Sequence, residues 1–284
     1  MDNIASILQE DKKTLIKRIR KGARHKGRDC WLWTPENTVN KICLVAHIDT
    51  VWDNGKVPVK RILHDKEQGL IWSPDGLGAD DRAGVYAAIA IFKSVPEPYK
   101  PCILFTDYEE VGGLGAEEAA NRFYKELSPC AYFIELDRRG SDDAVFYNGE
   151  PDDFIEYIEE FGFKQAKGSF SDISIICPAV NRCGVNLSIG YYGEHTAGEY
   201  LNTKQMRMTM KRVNNMLISH GKNPRDWFLP EGTDKWDNYY QMIECPKCGA
   251  IQDLYEVEYN DSCCIECGKF LKERDKDRFL TFAE

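Results

Sequence analysis

Short apolar runs along the chain alternate with longer segments of helical periodicity. Near the N-terminus, apolar side chains recur at helical spacing, which predicts an amphipathic helix from Ile4 to about Arg24. Further on, continuous apolar runs are typical of strands that are buried on both faces. The predicted strands are Cys30–Trp33, Ile42–Ala46, Cys102–Phe105, Ala131–Ile134 and Val185–Ile189.

Helices are predicted between and after these strands. They cover Gly84–Phe92, Ala116–Leu127, Asp153–Phe161 and Thr203–Ser219. Strands that alternate with helices are joined by right-handed crossovers, which produce a mostly parallel sheet covered by helices on both faces. The pattern therefore predicts a three-layer α/β fold.

Composition and charge narrow the class of protein. The chain has 284 residues, 43% of them hydrophobic and 29% charged, as in ordinary globular proteins. Its formal net charge of -9 disfavours nucleic acid as a partner, because phosphate neutralisation needs a surplus of Lys and Arg. No apolar run approaches the ~18 residues of a membrane span, and no apolar signal segment begins the chain. The odd number of cysteines, eleven, suits a reducing compartment better than a set of disulfides. We therefore expect a cytoplasmic protein without a membrane partner.

Polar side chains follow the predicted strands at their carboxyl ends, where ligands bind in sheets of this type. Two imidazoles and at least three carboxylates suit a divalent metal, and the number of carboxylates predicts two ions. Paired ions need a bridging carboxylate and activate a shared water, while a carboxylate that binds no metal moves the proton. The candidates are His47, Asp49, Asp80, Asp81, Glu109, Glu110, Asp137 and His195, although Asp80 and Asp81 could instead cap the helix that follows them.

Three segments resemble the signatures of the zinc exopeptidase clan that includes peptidase T, carboxypeptidase G and bacterial leucyl aminopeptidases. They are Ala46–Val51, Gly78–Gly84 and Asp107–Gly112, in the order and spacing of the clan. The resemblance covers about residues 40 to 205. It implies amide hydrolysis at a pair of catalytic Zn²⁺ ions, although Co²⁺ or Mn²⁺ would fit nearly the same ligands.

The resemblance also implies a role for each matched residue. Asp49 would orient the imidazole of His47 without binding the metal itself, and Glu109 would be the general base. The cis peptide bond that clan members often carry would lie at Asp81–Arg82. The implied metal ligands are His47 and Asp137 for the first zinc, Glu110 and His195 for the second, and Asp81 as the bridge between them.

The interval from Asp137 to His195 is too short for the lid or dimerisation domain that many relatives insert there. We therefore predict a hydrolase domain without a lid over residues 1–222. Oxyanion stabilisation or substrate binding then has to come from side chains near the site. By position alone the candidates are Tyr191, Tyr192, Arg138 and Arg139.

Three functions remain open from these residues. The first is a metallo-aminopeptidase that acts on a peptide, and the second is a deacylase of N-acyl amino acids, which would use the same chemistry. An acidic group such as Glu194 that captures a free α-ammonium would favour the first, and arginines that capture a carboxylate the second. The third is a non-catalytic scaffold, which would be marked by loss of the base or of a ligand, and none is lost.

Two C-x-x-C pairs lie near the end of the chain. Their separation matches the ~15–20 residues between the halves of a four-cysteine zinc site. Four thiolates leave no open coordination position, so this zinc would be structural. We predict a linker at residues 223–240 and a zinc ribbon at 241–284, whose acidic surroundings favour a protein partner. The ligands would be Cys245, Cys248, Cys264 and Cys267.

Overall fold

The structure is a computed structural model that describes residues 3–52, 61–233, 242–248, 251–253, 263–264, 267–271 and 279–280. The chain divides into two compact units. The first comprises Met1–Ala166 and Ser171–Thr233, and the second comprises Lys167–Phe170 and Asp234–Glu284.

Twelve strands in the described part of the first unit form two sheets. They are β1 (His25–Lys26), β2 (Cys30–Trp33), β3 (Ile42–His47), β4 (Leu63–Asp65), β5 (Leu70–Trp72), β6 (Cys102–Thr106), β7 (Tyr132–Arg138), β8 (Asp143–Val145), β9 (Lys164–Ala166), β10 (Gly184–Ser188), β11 (Tyr191–Tyr192) and β12 (Tyr200–Asn202).

The larger sheet has eight strands in the order β1-β2-β6-β3-β7-β10-β8-β9. Its centre is parallel, because β3 runs parallel to β6 and β7, and β10 runs parallel to β7. Antiparallel pairs occur towards both edges, where β2 pairs with β6 and β8 pairs with β10. The central strands are apolar and buried along their length, as expected for strands that are covered on both faces.

The helices of the first unit are α1 (Ile4–Gln9), α2 (Lys12–Gly22), α3 (Ala79–Ser94), α4 (Leu114–Arg122), α5 (Tyr124–Leu127), α6 (Asp152–Glu159), α7 (Asp172–Val180) and α8 (Thr203–Lys222). Among them, α3 packs against β3, β7 and α8, while α7 packs against β7, β10 and α4. This arrangement confirms the predicted α/β fold.

Three helical predictions differ from the structure. The single N-terminal helix is two helices, because the Asp11 side chain accepts a hydrogen bond from the Thr14 N–H at 3.0 Å and starts α2 afresh. The helix predicted to end at Leu127 breaks at Phe123. Helix α7 was not predicted, since it contains Pro178 and is apolar nearly all round, which hides its period.

The smaller sheet, of order β11-β12-β5-β4, is antiparallel and was not predicted. Its strands have two or three residues, too few for an alternating pattern to stand out. The β11–β12 connection carries His195 and Glu199, so this sheet positions part of the candidate site.

No separate lid is built between Asp137 and His195, because this interval supplies β8, α6, β9, α7 and β10. The described part of the predicted linker, residues 223–233, belongs to the first unit. The Trp227 N–H donates to the Ala131 carbonyl at 3.0 Å, and Trp227 and Leu229 are buried in the core. The first unit therefore continues to Thr233, and the predicted linker residues 234–240 lie outside the described residues.

The second unit contains β13 (Met242–Glu244), β14 (Ile251–Asp253) and β15 (Phe279–Leu280) in an antiparallel sheet of order β14-β13-β15. The eleven cysteines all lie within the described residues, and none of them forms a disulfide bond. Within the described residues, no helix has the length and apolar character needed to span a membrane.

Candidate active site

His47 is the last residue of β3 and lies at the carboxyl edge of the parallel strands. Its side chain is 1% exposed, and its Nε2 lies 3.1 Å from Asp80 Oδ1 and 3.5 Å from Asp137 Oδ1. On the other side of the ring, Nδ1 lies 3.1 Å from the backbone carbonyl of Asp49. The Asp49 carboxylate accepts the N–H groups of Glu109 at 3.2 Å and of Glu110 at 3.3 Å. Asp49 therefore ties the loop after β3 to the acidic turn after β6.

Asp80 and Asp81 are adjacent at the start of α3 but have different partners. Asp80 Oδ1 faces His47, and its Oδ2 lies 3.2 Å from His195 Nε2. The oxygens of Asp81 accept the backbone N–H groups of Gly84 at 2.9 Å and of His47 at 3.2 Å. Asp81 was the predicted bridge, but in the structure Asp80 is the residue that lies between the two imidazoles.

The same shift applies to the cis peptide bond, which is Asp80–Asp81 and not Asp81–Arg82. The close packing here depends on Gly84. A Cβ at this position would lie 2.3 Å from Asp81 Oδ1 and 2.3 Å from the Leu136 carbonyl, so any larger residue would displace α3 from β7.

Glu110 and His195 meet on the far side of Asp80. Glu110 Oε2 lies 3.0 Å from His195 Nε2, and Glu110 Oε1 is buried with no hydrogen-bond partner. The His195 side chain is 48% exposed, whereas that of His47 is almost completely covered. The group is therefore closed at one end and accessible at the other.

Glu109 lies beside this group, with its Oε2 3.8 Å from His47 Nε2 and its side chain 12% exposed. Burial, reinforced by the charge of Asp137, raises the pKa of Glu109 well above its usual value, although the charge of His47 opposes this. Glu109 is therefore a buried carboxylate beside the candidate ligands, which is where a general base has to lie.

Asp137 is held by a network that the sequence did not reveal. The Tyr191 hydroxyl donates to its backbone carbonyl at 2.9 Å and to its Oδ1 at 3.2 Å. The Ser171 hydroxyl donates to Oδ2 at 3.3 Å, and the Asp137 N–H donates to Asn186 Oδ1 at 3.0 Å. Tyr191 is only 4% exposed, so the structure places this candidate substrate residue behind Asp137.

The other candidate substrate residues are also tied to neighbours. The Tyr192 hydroxyl donates to Gln205 Oε1 at 2.8 Å, and its ring stacks on Tyr200. Arg138 Nε lies 3.7 Å from Asp143 Oδ2. The predicted roles of Tyr192 and Arg138 in substrate binding therefore stay predictions.

Arg139 forms an ion pair with Glu194, the residue immediately before His195 in the chain. Arg139 Nη1 lies 2.6 Å from Glu194 Oε1, whereas Glu194 Oε2 is buried with no hydrogen-bond partner. A carboxylate oxygen that is buried and unpaired costs free energy, which a donor from a ligand would offset.

The electrostatics of the group reflect an excess of buried carboxylates over cationic side chains. Burial raises the pKa of Asp137 to about 6 and that of Asp172 to about 7. Burial lowers the pKa of His195, but hydrogen bonds to Asp80 and Glu110 outweigh it and raise this pKa to about 11. For Asp80, burial is outweighed by hydrogen bonds from His195 and His47, so its pKa falls below the usual range.

The donor set fits divalent cations. Ligand atoms of His47, Asp80 and Glu110 all lie within 4.8 Å of one another, and those of His47, Asp81 and Asp137 do the same. Imidazole and carboxylate donors suit zinc, manganese or cobalt. The unpaired buried oxygen of Glu110 and the surplus of negative charge both fit bound cations.

The sequence assigned no specific role to two carboxylates of this region, Asp80 and Asp172. Asp80 was one candidate of the group that could also cap the helix, and its contacts with both imidazoles depend on tertiary structure. Asp172 is fully buried at the start of α7, where it accepts a hydrogen bond from the Thr106 hydroxyl.

The four cysteines of the second unit lie together. Cys245 Sγ is 3.7 Å from Cys267 Sγ, and Cys248 Sγ is 3.7 Å from Cys264 Sγ. All four sulfurs lie within 4.8 Å of one another, a spacing that fits one tetrahedrally bound ion. Within this unit, Cys245 and Cys264 also pack in a small buried cluster with Leu271.

Comparison with known proteins gives the family. The family profile "Peptidase family M28" matches residues 31–174. This segment contains β3, the start of α3, the acidic turn and Asp137, and it covers half of the chain. The chain therefore belongs to peptidase family M28, whose members are metal-dependent peptidases that act on peptides and typically use zinc. Membership of this family supports the predicted class of activity, that of a metallo-exopeptidase.

Solved structures show the same fold. Aminopeptidase PepT from Bacillus cereus is 16% identical with a TM-score of 0.57, and the match covers 78% of this chain and 97% of that one. A tripeptidase from Staphylococcus aureus is 13% identical with the same TM-score, 0.57, and the same coverage, 78% and 97%. An aminopeptidase from the archaeon Desulfurococcus kamchatkensis is 11% identical with a TM-score of 0.52, covering 75% and 93%. Curated protein sequences gave no match.

Proposed function

We propose that this protein is an aminopeptidase that uses two divalent metal ions, most simply Zn²⁺, to hydrolyse the N-terminal peptide bond of a peptide. The observation that carries the proposal is the position of Asp80, whose two oxygens face His47 and His195 at 3.1 and 3.2 Å. A carboxylate between two imidazoles, with further carboxylates on either side, is the arrangement that a bridged pair of ions requires.

In this proposal His47 and Asp137 would hold one ion, and His195 and Glu110 would hold the other. Asp80, in place of Asp81, would serve both ions. Asp81 instead holds the backbone of His47, and Asp49 connects that imidazole to the acidic turn. Such outer contacts fix the orientation of a ligand.

Bound together, the ions would lower the pKa of a shared water and polarise the substrate carbonyl. The chain itself supplies the proton transfers. The Glu109 carboxylate takes the proton from the attacking water and passes it to the departing amine, so that the amine leaves neutral. Burial of Glu109, which raises its pKa, suits a group that must hold the proton between these two events.

Glu194 favours an aminopeptidase over a deacylase. Its unpaired Oε2 lies next to His195 in the chain and can accept a hydrogen bond from the α-ammonium of a peptide. Arg139 is engaged by the same carboxylate and is therefore less suited to capture the carboxylate of an N-acyl amino acid. Two of the similar structures are described as aminopeptidases and one as a tripeptidase.

For the second unit we propose a structural zinc ion held by Cys245, Cys248, Cys264 and Cys267. Residues 241–284 would then be a zinc ribbon that contacts a protein partner. The enzyme as a whole would be cytoplasmic. The clustered sulfurs support the ion, and cysteines that bind a metal and form no disulfide suit a reducing compartment.

The test is hydrolysis of amino-acid anilides, dipeptides and N-acetyl amino acids by the zinc-loaded protein and by Glu109→Gln. We expect turnover of the free-amine substrates and a fall in kcat of about 10²- to 10⁴-fold in the variant. Glu117→Gln, an exposed glutamate on α4, is the matched control and should retain full activity. Turnover of only the N-acetyl substrates would identify a deacylase, and no turnover by zinc-loaded protein would favour the scaffold.

A further inference from the structure

Glu199 is a buried carboxylate that the proposed chemistry leaves without a role. It is 1% exposed, lies four residues after His195 and immediately precedes β12. A buried carboxylate is costly unless it accepts hydrogen bonds, so its partners show what it does in the fold.

Both partners are backbone amides of the segment that presents Asp80. The Gly78 N–H donates to Glu199 Oε2 at 2.7 Å, and the Asp80 N–H donates to Glu199 Oε1 at 3.0 Å. Hydrogen bonds from amides to a carboxylate are short and strong. Because the two bonds reach the same short segment from one side chain, they fix both its position and its orientation.

Gly78, at the start of this segment, has no side chain that could cap the helix. It precedes α3 in the left-handed region, with φ 65° and ψ 41°, and Asp81 caps only the later amide of Gly84. Asp80 is also outside the helical region, with ψ 107°. The first amides of a helix lack acceptors within the helix, and Glu199 accepts two amides at this point.

Glu199 is itself held in place by its surroundings. Its N–H donates to the Thr196 carbonyl at 3.1 Å, and the next residue, Tyr200, pairs with Trp72 of β5. The same connection carries His195, whose imidazole faces Asp80 Oδ2. The β11–β12 connection therefore contacts Asp80 twice, through its backbone by Glu199 and through its carboxylate by His195.

We infer that Glu199 is a positioning residue that holds Asp80 between His47 and His195, so that the site can receive its metal ions. The inference rests on the proposed function, because it assigns Asp80 as the bridge. Glu199 acts through the backbone of Asp80 and not by contact with the substrate. Its removal is expected to change metal affinity first and catalysis only as a consequence.

The chain offers a matched control in Glu150. This residue is also buried, at 6% exposure, and its carboxylate accepts the N–H groups of Asn148 at 2.9 Å and of Gly184 at 3.3 Å. Gly184 is the first residue of β10, at the end of the strand opposite to the candidate site. Glu150→Gln therefore removes the same kind of cap without touching the segment of Asp80.

The experiment is a Co²⁺ titration of metal-free protein, followed by visible absorption, with wild type, Glu199→Gln and Glu150→Gln. Cobalt bound by the cysteines is distinguished from cobalt at the candidate active site by its intense thiolate-to-metal charge-transfer absorption. We expect Glu199→Gln to weaken the non-thiolate binding by about 10- to 100-fold, as for other residues that orient ligands. Glu150→Gln should bind cobalt with wild-type affinity. This should hold even if the two variants lose the same thermal stability when the metal is removed with a chelator.

Wild-type affinity in Glu199→Gln would overturn the inference, and so would an equal loss in Glu150→Gln. If Glu199→Gln fails to fold, Glu199→Asp takes its place, since the shorter side chain keeps the charge but cannot reach both amides. We expect Glu199→Asp to bind cobalt at the non-thiolate site more weakly than wild type and Glu150→Gln do, but still measurably. Because the assay uses no substrate, a wild-type protein that binds cobalt but hydrolyses nothing would refute the proposed activity and leave the role of Glu199 standing.

Discussion

The two candidate metal sites of this chain are built in different ways. The cysteine cluster comes from two short pairs that are separated by fewer than 20 residues, and its donors are all sulfur. The carboxylate and imidazole group draws on residues from His47 to His195 and on the ends of several elements. The first can form from a local stretch of chain, whereas the second exists only when the central sheet has formed.

The two sites also differ in access. Four thiolates complete the coordination of one ion and leave no position for a substrate. In the other group His195 is 48% exposed while His47 is covered, so one side remains open to a ligand. This contrast predicts a structural ion in the second unit and catalytic ions in the first.

The largest expected effect concerns the bridge. Asp80→Asn should reduce kcat/KM by about 10³-fold and lower the metal content of the first unit, because one carboxylate serves both ions. Asp81→Asn should reduce activity less, since an amide can still accept one of the two backbone N–H groups that Asp81 binds. Steady-state kinetics with metal analysis of both variants decides the matter. A larger loss of metal in Asp81→Asn would return the bridge to Asp81.

A smaller effect is expected at Tyr191. Tyr191→Phe removes the hydroxyl that donates to Asp137, which should weaken metal binding by about tenfold and leave KM near its wild-type value. Tyr157→Phe is the control, because its hydroxyl lies 3.3 Å from that of Tyr132, which is at the opposite end of β7 from Asp137. A raised KM with unchanged metal affinity would instead make Tyr191 a substrate residue, as its position in the sequence first indicated.

The smallest effect on turnover is expected in the second unit. Cys264→Ser should remove one zinc per chain and destabilise that unit, yet leave the hydrolysis of small peptides within about twofold, because a closed four-sulfur site takes no part in catalysis. Zinc content and anilide hydrolysis are measured together. The neighbouring Cys263→Ser, outside the group of four, should retain all its zinc. A parallel loss of zinc and turnover in Cys264→Ser would remove the contrast between the sites.

Much of the fold was predictable because its central strands are continuous apolar runs. Ile42–Ala46 and Cys102–Phe105 were placed within one residue of the strands in the structure. The short strands of the smaller sheet were not, since two or three residues carry no period. Helix α7 escaped for the opposite reason, because it is apolar on most sides.

The segment after α8 shows a further limit of composition. Its prolines are typical of a linker, yet Trp227 packs on Phe154 and Tyr157 and belongs to the core of the first unit. Proline disfavours regular structure but does not prevent burial. The end of the first unit could therefore be found only from the contacts of its side chains.

By itself, the sequence determined which chemical groups are available and at which edge of the sheet they lie, because the carboxyl ends of parallel strands share one edge. It also determined the cysteine group, since both pairs have local spacing. Only the tertiary structure decided that Asp80 faces the two imidazoles, that Tyr191 supports Asp137 and that Glu199 holds the start of α3. Adjacent residues such as Asp80 and Asp81 have the same chemistry, and the backbone conformation alone gives them different partners.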